Sequence, residues 1–141
     1  MLKAIRVFNP LVAAILRSRA HRLVSGALLL LTVTGRRSGR RFSFPVMYAP
    51  DGDDVLVFVG MHEEKRWWRN LRGGADVVAR VRGDEQIWHA ELLEGDREAL
   101  AAPLAAYLRR FPKAEGTVGD DVVMVRLSAR PIGDLPTTVG G

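Results

Sequence analysis

The stretch Leu28-Leu-Leu-Leu-Thr-Val-Thr34, Gly35-Arg-Arg-Ser-Gly-Arg40, Arg41-Phe-Ser-Phe-Pro-Val-Met-Tyr48 reads as strand, loop, strand. Its first run is apolar and ends on β-branched residues, which suit a pleated, half-buried surface. Its last run alternates Phe42, Phe44, Val46 and Tyr48 against Ser43, Pro45 and Met47. Between them, Gly35 and Gly39 bracket Arg36, Arg37 and Ser38, with Arg40 and Arg41 following. Glycine permits positive φ and close backbone approach, so such a loop can aim N–H groups inward while guanidiniums fork onto oxyanions. Four arginines within six positions repel one another unless an anion lies among them. The composition therefore predicts a site for a phosphate or polycarboxylate ligand, against the plainer reading of a solvated basic hairpin tip.

Downstream, Pro50-Asp51-Gly52-Asp53-Asp54 is a tight turn, predicted to join a strand over 41–49 to one over 55–60 as a hairpin. Met61 to Lys65 reads as a polar loop. Arg66 to Arg72 reads as a short helix stopped by Gly73-Gly74. Residues 76–82 and 85–93 read as strands around a two-residue turn at Gly83-Asp84. Residues 98–110 carry Leu100, Leu104, Tyr107 and Leu108 on one helical stripe, and 122–127 form a last strand. Upstream, Asn9 and Pro10 cap and open a helix to about Arg19, within a basic amphipathic segment spanning 1–22. The expected organisation is that segment, a barrel domain over 23–130 and a tail over 131–141. Six short antiparallel strands and three helical pieces make this a mainly β chain with helices, a small barrel.

Composition narrows the function classes. At 141 residues, with 48% hydrophobic and 26% charged residues, the chain has the make-up of one ordinary globular domain. It has no cysteine, so neither disulfides nor thiolate chemistry arise, and a cytoplasmic location is expected. The longest nearly apolar run, 23–34, falls short of the ~20 residues a spanning helix needs. The net charge of +5 divides into +9 for residues 1–50, which hold no acidic residue, and −4 for the remainder. A positive half implies an anionic partner: a charged small molecule, a nucleic acid or a lipid surface. Acidic residues throughout 51–141 break up any long phosphate track, so nucleic acid is not expected. The amphipathic 2–19 pattern packs on the protein or makes a peripheral contact with a membrane.

The motifs exclude several chemistries. Gly35-Arg-Arg-Ser-Gly39 lacks P-loop spacing and precedes a strand. His21, His62 and His89 are scattered, and His62-Glu63 is followed by Arg66 where a zinc helix would place its second histidine, so no metal is expected. No Ser-His-Asp arrangement is suggested. Trp67-Trp68 beside Lys65, Arg66 and Arg69 combines π-faces with cations, suited either to stacking a planar ligand or to packing in the core.

Leu-Leu-Thr-Val-Thr-Gly35-Arg-Arg-Ser-Gly39, then Pro45-Val-Met-Tyr48, then Trp67-Trp-Arg-Asn-Leu71 together resemble the deazaflavin-dependent nitroreductase family of actinobacteria. The resemblance covers roughly residues 23–128. It implies a split β-barrel and hydride transfer from coenzyme F420, with FMN the second choice, to a quinone, enone or nitro compound. It further implies that Arg36, Arg37, Ser38 and Gly39 hold the coenzyme's phosphate and polyglutamate tail. Pro45, Val46 and Met47, with Phe58, Val59 and Gly60, would line the ring, and Trp67 and Trp68 would stand near ring and substrate. No side chain need be covalently involved. A homodimer is compatible with this reading. A non-catalytic module that binds the coenzyme, or attaches it at a membrane, is the alternative from another class. Here Gly60-Met61 stands where the family usually has Gly-Gly, and Phe111-Pro112 where it has Tyr-Pro.

Overall fold

The computed structural model describes residues 28–129, so the readings for 1–22 and 131–141 lie outside the described residues. The strands are β1 (Leu28–Thr34), β2 (Arg41–Met47), β3 (Ala49–Asp51), β4 (Asp54–Phe58), β5 (Ala75–Val81), β6 (Asp84–Asp96) and β7 (Asp121–Ala129). One α-helix, α1 (Ala101–Arg110), lies between β6 and β7, and short 3₁₀ turns cover His62–Glu64, Trp67–Leu71 and Pro112–Thr117. All seven strands join one antiparallel sheet in the order β2-β1-β5-β6-β7-β4-β3. It curls into the split barrel the sequence implies, a mainly β fold carrying few helices.

Alternation decides what each strand buries. Val55 and Val57 of β4 and Val123, Val125 and Leu127 of β7 point into the barrel with Leu29, Leu31, Val33, Phe42 and Phe44. Leu56 of β4 and Val122 and Met124 of β7 point outward, where Leu100, Leu104, Ala106 and Tyr107 of the helical segment cover them. Both faces of β7 are therefore buried, which is why its sequence runs Val-Val-Met-Val without polar alternation. Arg126 then ties the β3–β4 hairpin to β7, its Nη1 donating to Asp51 and Asp54 Oδ2 at 3.1 Å each.

Three local expectations are corrected. The predicted strand over 41–49 breaks at Tyr48, whose ring is buried, so only Ala49–Asp51 pairs with β4 and the strands number seven, not six. The β5–β6 turn is Arg82-Gly83, not Gly83-Asp84: Val81 pairs with Asp84, and Arg82 and Gly83 have φ of 53° and 86°. Two successive positive φ angles define the turn whose twist matches a hairpin, and here an arginine accepts one of them. The helix starts at Ala101, three residues later than expected, because Asp96 Oδ1 first accepts the Ala99 N–H at 2.7 Å in a preceding turn.

The break at Tyr48 has a topological result. β2 and β3 are contiguous in the chain yet occupy opposite edges of the sheet. The β3–β4 ladder ends at the Ala49–Leu56 pair, although β4 runs on to Phe58 and β2 precedes Tyr48. Continued, that register would set Met47 opposite Phe58, Val46 opposite Val59 and Pro45 opposite Gly60. Instead the ladder opens there into a seam.

Candidate functional site

The β1–β2 loop is held closed by its own backbone. Gly35 N–H donates to Arg40 O at 2.7 Å, Gly39 N–H to Gly35 O at 3.0 Å, and Arg40 N–H to Ser38 Oγ at 3.1 Å. Gly39 has φ of 72°, and a Cβ on Gly35 would lie 2.8 Å from Ser38 Oγ, so neither position suits a larger residue. One further bond anchors the loop from outside: Arg36 N–H donates to Asn70 Oδ1 at 2.9 Å, while Asn70 Nδ2 donates to Trp67 O at 3.1 Å. A single amide thus couples the arginine loop to the tryptophan turn.

The loop arginines differ from those elsewhere. Arg72 pairs with Glu94, Arg80 with Glu85, Arg97 with Glu115, and Arg126 with Asp51 and Asp54. Arg36, Arg37, Arg40 and Arg41 are exposed and have no carboxylate partner among the described residues. Beside them lies a cleft of about 410 Å³, bounded by Gly35, Arg36 and Gly39, by Asn70 and Arg72, and by Asp76 and Val77 of β5. Gly73 and Gly74, at φ of 83° and 90°, swing the chain from the tryptophan turn into β5 and keep that wall low. Asp76 is the acidic residue on the cleft, and His89 Nδ1 approaches its Oδ1 at 3.4 Å.

The two tryptophans are packed, not presented. Trp67 is 8% and Trp68 4% exposed, both within the barrel core. Trp67 lies against Phe44 with ring centroids 5.0 Å apart, and Trp68 Nε1 donates to His62 O at 3.0 Å. The guanidiniums of Arg69 and Arg72 each stand 5.3 Å from the Trp68 ring centroid. Of the two readings for Trp67 and Trp68, this packing is the core one, with the guanidiniums of Arg69 and Arg72 set against the Trp68 ring. The Trp67 backbone carbonyl holds the Asn70 amide, and the Asn70 Oδ1 accepts the Arg36 N–H.

The other expected residues fall at the seam. Met47 pairs with Leu28, at the end of β1 remote from the loop, so Arg41 and Met47 stand ~20 Å apart along β2 at about 3.3 Å per residue. Pro45 and Val46 are half-buried and Met47 is 45% exposed. Across the seam, the Val59 side chain is buried and its N–H donates to Val123 O at 2.9 Å, toward β7. By strand alternation the backbone groups of Phe58 and Gly60 then face the seam. The Phe58 ring itself packs outward on Tyr107, centroids 5.7 Å apart.

Twelve residues were thus expected. The structure places Arg36 and Gly39 on the cleft, Ser38 bracing the loop and Arg37 at its exposed tip. It places 45–47 at the end of β2 and 58–60 at and just beyond the end of β4, two strands that approach one another without pairing, and buries Trp67 and Trp68. Asn70, Arg72 and Asp76 were not foreseen as cleft residues. The one signal for Asn70 was its place three residues after Trp67, within one turn of a helix. Among the described residues no group of three metal-ligating side chains occurs, and no helix is long and apolar enough to cross a membrane.

Comparison with known proteins agrees with this architecture. A family model described as F420H(2)-dependent quinone reductase matches residues 7–124. The chain is 31% identical over 78 residues to Rv3178 of Mycobacterium tuberculosis, provisionally named an F420H(2)-dependent quinone reductase; the match covers 53% of this chain and 66% of that protein, so just under two thirds of the relative's length is spanned. Among solved structures, an F420-H2 dependent reductase, FDR-A, superposes with a TM-score of 0.54 at 16% identity, over 72% of this chain and 94% of that one. An Agrobacterium tumefaciens protein of unknown function, Atu2129, superposes with a TM-score of 0.56 at 15% identity, over 89% of this chain and 59% of that one. At these identities the structural likeness is one of fold.

Proposed function

The chain belongs to the F420H(2)-dependent quinone reductase family, and from that premise we propose that it binds reduced F420 and uses it to reduce a quinone. The observation that carries this reading is the basic loop, whose Arg36 lines the 410 Å³ cleft while Arg37, Arg40 and Arg41 stand exposed beside it without a carboxylate partner among the described residues, ~20 Å along β2 from Met47. A coenzyme with a planar head and a polyanionic tail needs such a pair of sites at such a separation.

The residues present fit that group. The Arg36 guanidinium, on a loop anchored by Asn70, holds the phosphate and carboxylates; Arg37, Arg40 and Arg41 add charge that draws the tail in. Asp76 opposes an anion, and the His89 ring Nδ1 lies 3.4 Å from its Oδ1. At the seam, Pro45, Val46 and Met47 supply an apolar wall, and the backbone groups of Phe58 and Gly60 supply polar partners for a ring edge. When bound, the reduced coenzyme supplies a hydride, which with one proton from solvent turns a quinone into a hydroquinone. The protein's share is to bind, to orient and to keep the reacting faces out of water.

A titration tests this directly. F420 should bind more tightly than FMN, because four cations match a long polyanion better than one phosphate, and F420H2 should be oxidised on adding menadione. Equal or tighter FMN binding sinks the cofactor assignment. F420 binding without turnover of any quinone, enone or nitro acceptor leaves the non-catalytic module. Two finer elements belong to the same proposal. The basic 1–22 segment makes a peripheral contact with anionic lipid, checked by salt-sensitive vesicle co-sedimentation; the chain forms a homodimer, checked by sedimentation velocity.

A further inference from the structure

Two residues other than glycine have positive φ among the described residues, Met61 at 55° and Arg82 at 53°. Arg82 is explained by its hairpin turn. Met61 is not, for it belongs to no hairpin and opens the His62–Glu64 turn with ψ of 44°. A left-handed backbone disfavours any side chain, and Gly60, next to it, has no such angle. The methionine also gains no burial. It is 61% exposed, the most exposed large apolar side chain described, ahead of Met47 at 45% and Ile87 at 42%. A strained backbone combined with an exposed apolar side chain is a pattern that stability does not account for.

Placement supplies the account. Met47 ends β2 and Met61 follows Gly60 beyond β4, so the two exposed methionines flank the two strand ends that border the seam. Methionine is unbranched and polarisable and packs well against flat π-systems without a fixed shape. We propose that Met61, with Met47, is an acceptor-selecting lip that takes the flat apolar face of a lipophilic quinone and discriminates against charged quinones. This rests on the F420-dependent reading above and names the specificity-determining residue within it.

The test uses full-length protein labelled with [methyl-¹³C]methionine, loaded with oxidised F420 so that no turnover occurs, and titrated with menadione. The Met61 and Met47 methyl resonances should shift, and that of the fully buried Met124 should not. Met61→Gly, which also assigns the signal, should raise the menadione KM about five- to tenfold and leave F420 affinity unchanged, for loss of a methylene or two of contact. The KM for a sulfonated naphthoquinone should change no more than about twofold. The same variant should melt about 2–4 °C higher, since glycine relieves the left-handed strain. Still methionine signals, or equal KM changes for both quinones, would overturn the proposal, as would a fall in melting temperature, which would make Met61 structural. Failure of F420 to bind at all is read separately, by its fluorescence, and sinks the functional reading instead.

Discussion

At one end of β2 the chain offers charge, and at the other it offers shape. The arginine cleft is assembled from two short segments, 33–39 and 70–77, joined by the side-chain amide of Asn70. The seam lies where the curling of the sheet brings β2 and β4, distant in strand order, close to one another without pairing. The cleft presents cations to water, where they remain solvated until an anion arrives. The seam presents apolar side chains and unpaired strand edges, where binding is driven by removing surface from water. On the proposed reading of the two regions as one ligand site, the difference teaches that its halves can be set by different physics and disturbed independently.

The sharpest way to break this comparison is at the tryptophans between the two ends. Trp67→Ala should destabilise the fold by about 3–5 kcal/mol in urea unfolding, as for a large aromatic removed from a core. A loss below about 1 kcal/mol would mean that the ring is exposed in solution and available to stack on a ligand, merging the two regions into one.

Next in size is the loop. Arg36→Ala with Arg37→Ala should weaken F420 binding by about 2–4 kcal/mol, less than the sum of two charge-assisted bonds because both groups are exposed. The loss should shrink as salt rises, while menadione binding stays unaffected. A suitable control is Arg109→Ala, an exposed arginine on α1. Its neighbour Arg110 is not neutral, since its guanidinium lies 5.7 Å from the Tyr48 ring and 5.4 Å from Phe111. Equal losses from the double variant and the control would reduce the cleft to net charge alone.

Asn70→Ala tests how far the cleft depends on a distant anchor. Loss of the Arg36 bond should cost about 1 kcal/mol of F420 affinity, with unfolding changed by no more than that. An unchanged affinity, measured by coenzyme fluorescence, would make the loop self-sufficient.

The smallest effect lies behind the seam. Burial pushes the Tyr107 phenol above its ordinary 10.0, so its neutral form stabilises the fold. That contribution is whole below pH 10.0 and is lost as pH rises through the higher folded value. Tyr107→Phe should therefore flatten the alkaline fall in stability and leave F420 and menadione binding at neutral pH as they were. A change in menadione binding at neutral pH would extend the seam's wall to α1.

Much of this was legible in the residues. Alternation and β-branching marked the strands, glycine pairs marked the turns, and crowding of like charge marked the loop as a candidate anion site, because these signals act within a few residues of their cause. The Arg82-Gly83 turn was misplaced by one residue because a glycine next to an aspartate resembles the usual pair, and only the Val81–Asp84 register separates the two. The strand break at Tyr48 was hidden for a similar reason: Phe42 to Tyr48 alternates without interruption, and the burial that bends it comes from elements elsewhere in the chain.

The sequence by itself determined the mainly β class, the basic loop and the kind of ligand that loop suits, since propensity, periodicity and charge density are local properties. Tertiary structure alone decided that Trp67 and Trp68 are core, that Asn70 anchors Arg36, and that the ends of β2 and β4 face each other across a seam. Those outcomes depend on which strands become neighbours when the sheet closes, and contacts between segments distant in the chain leave no local mark in either one.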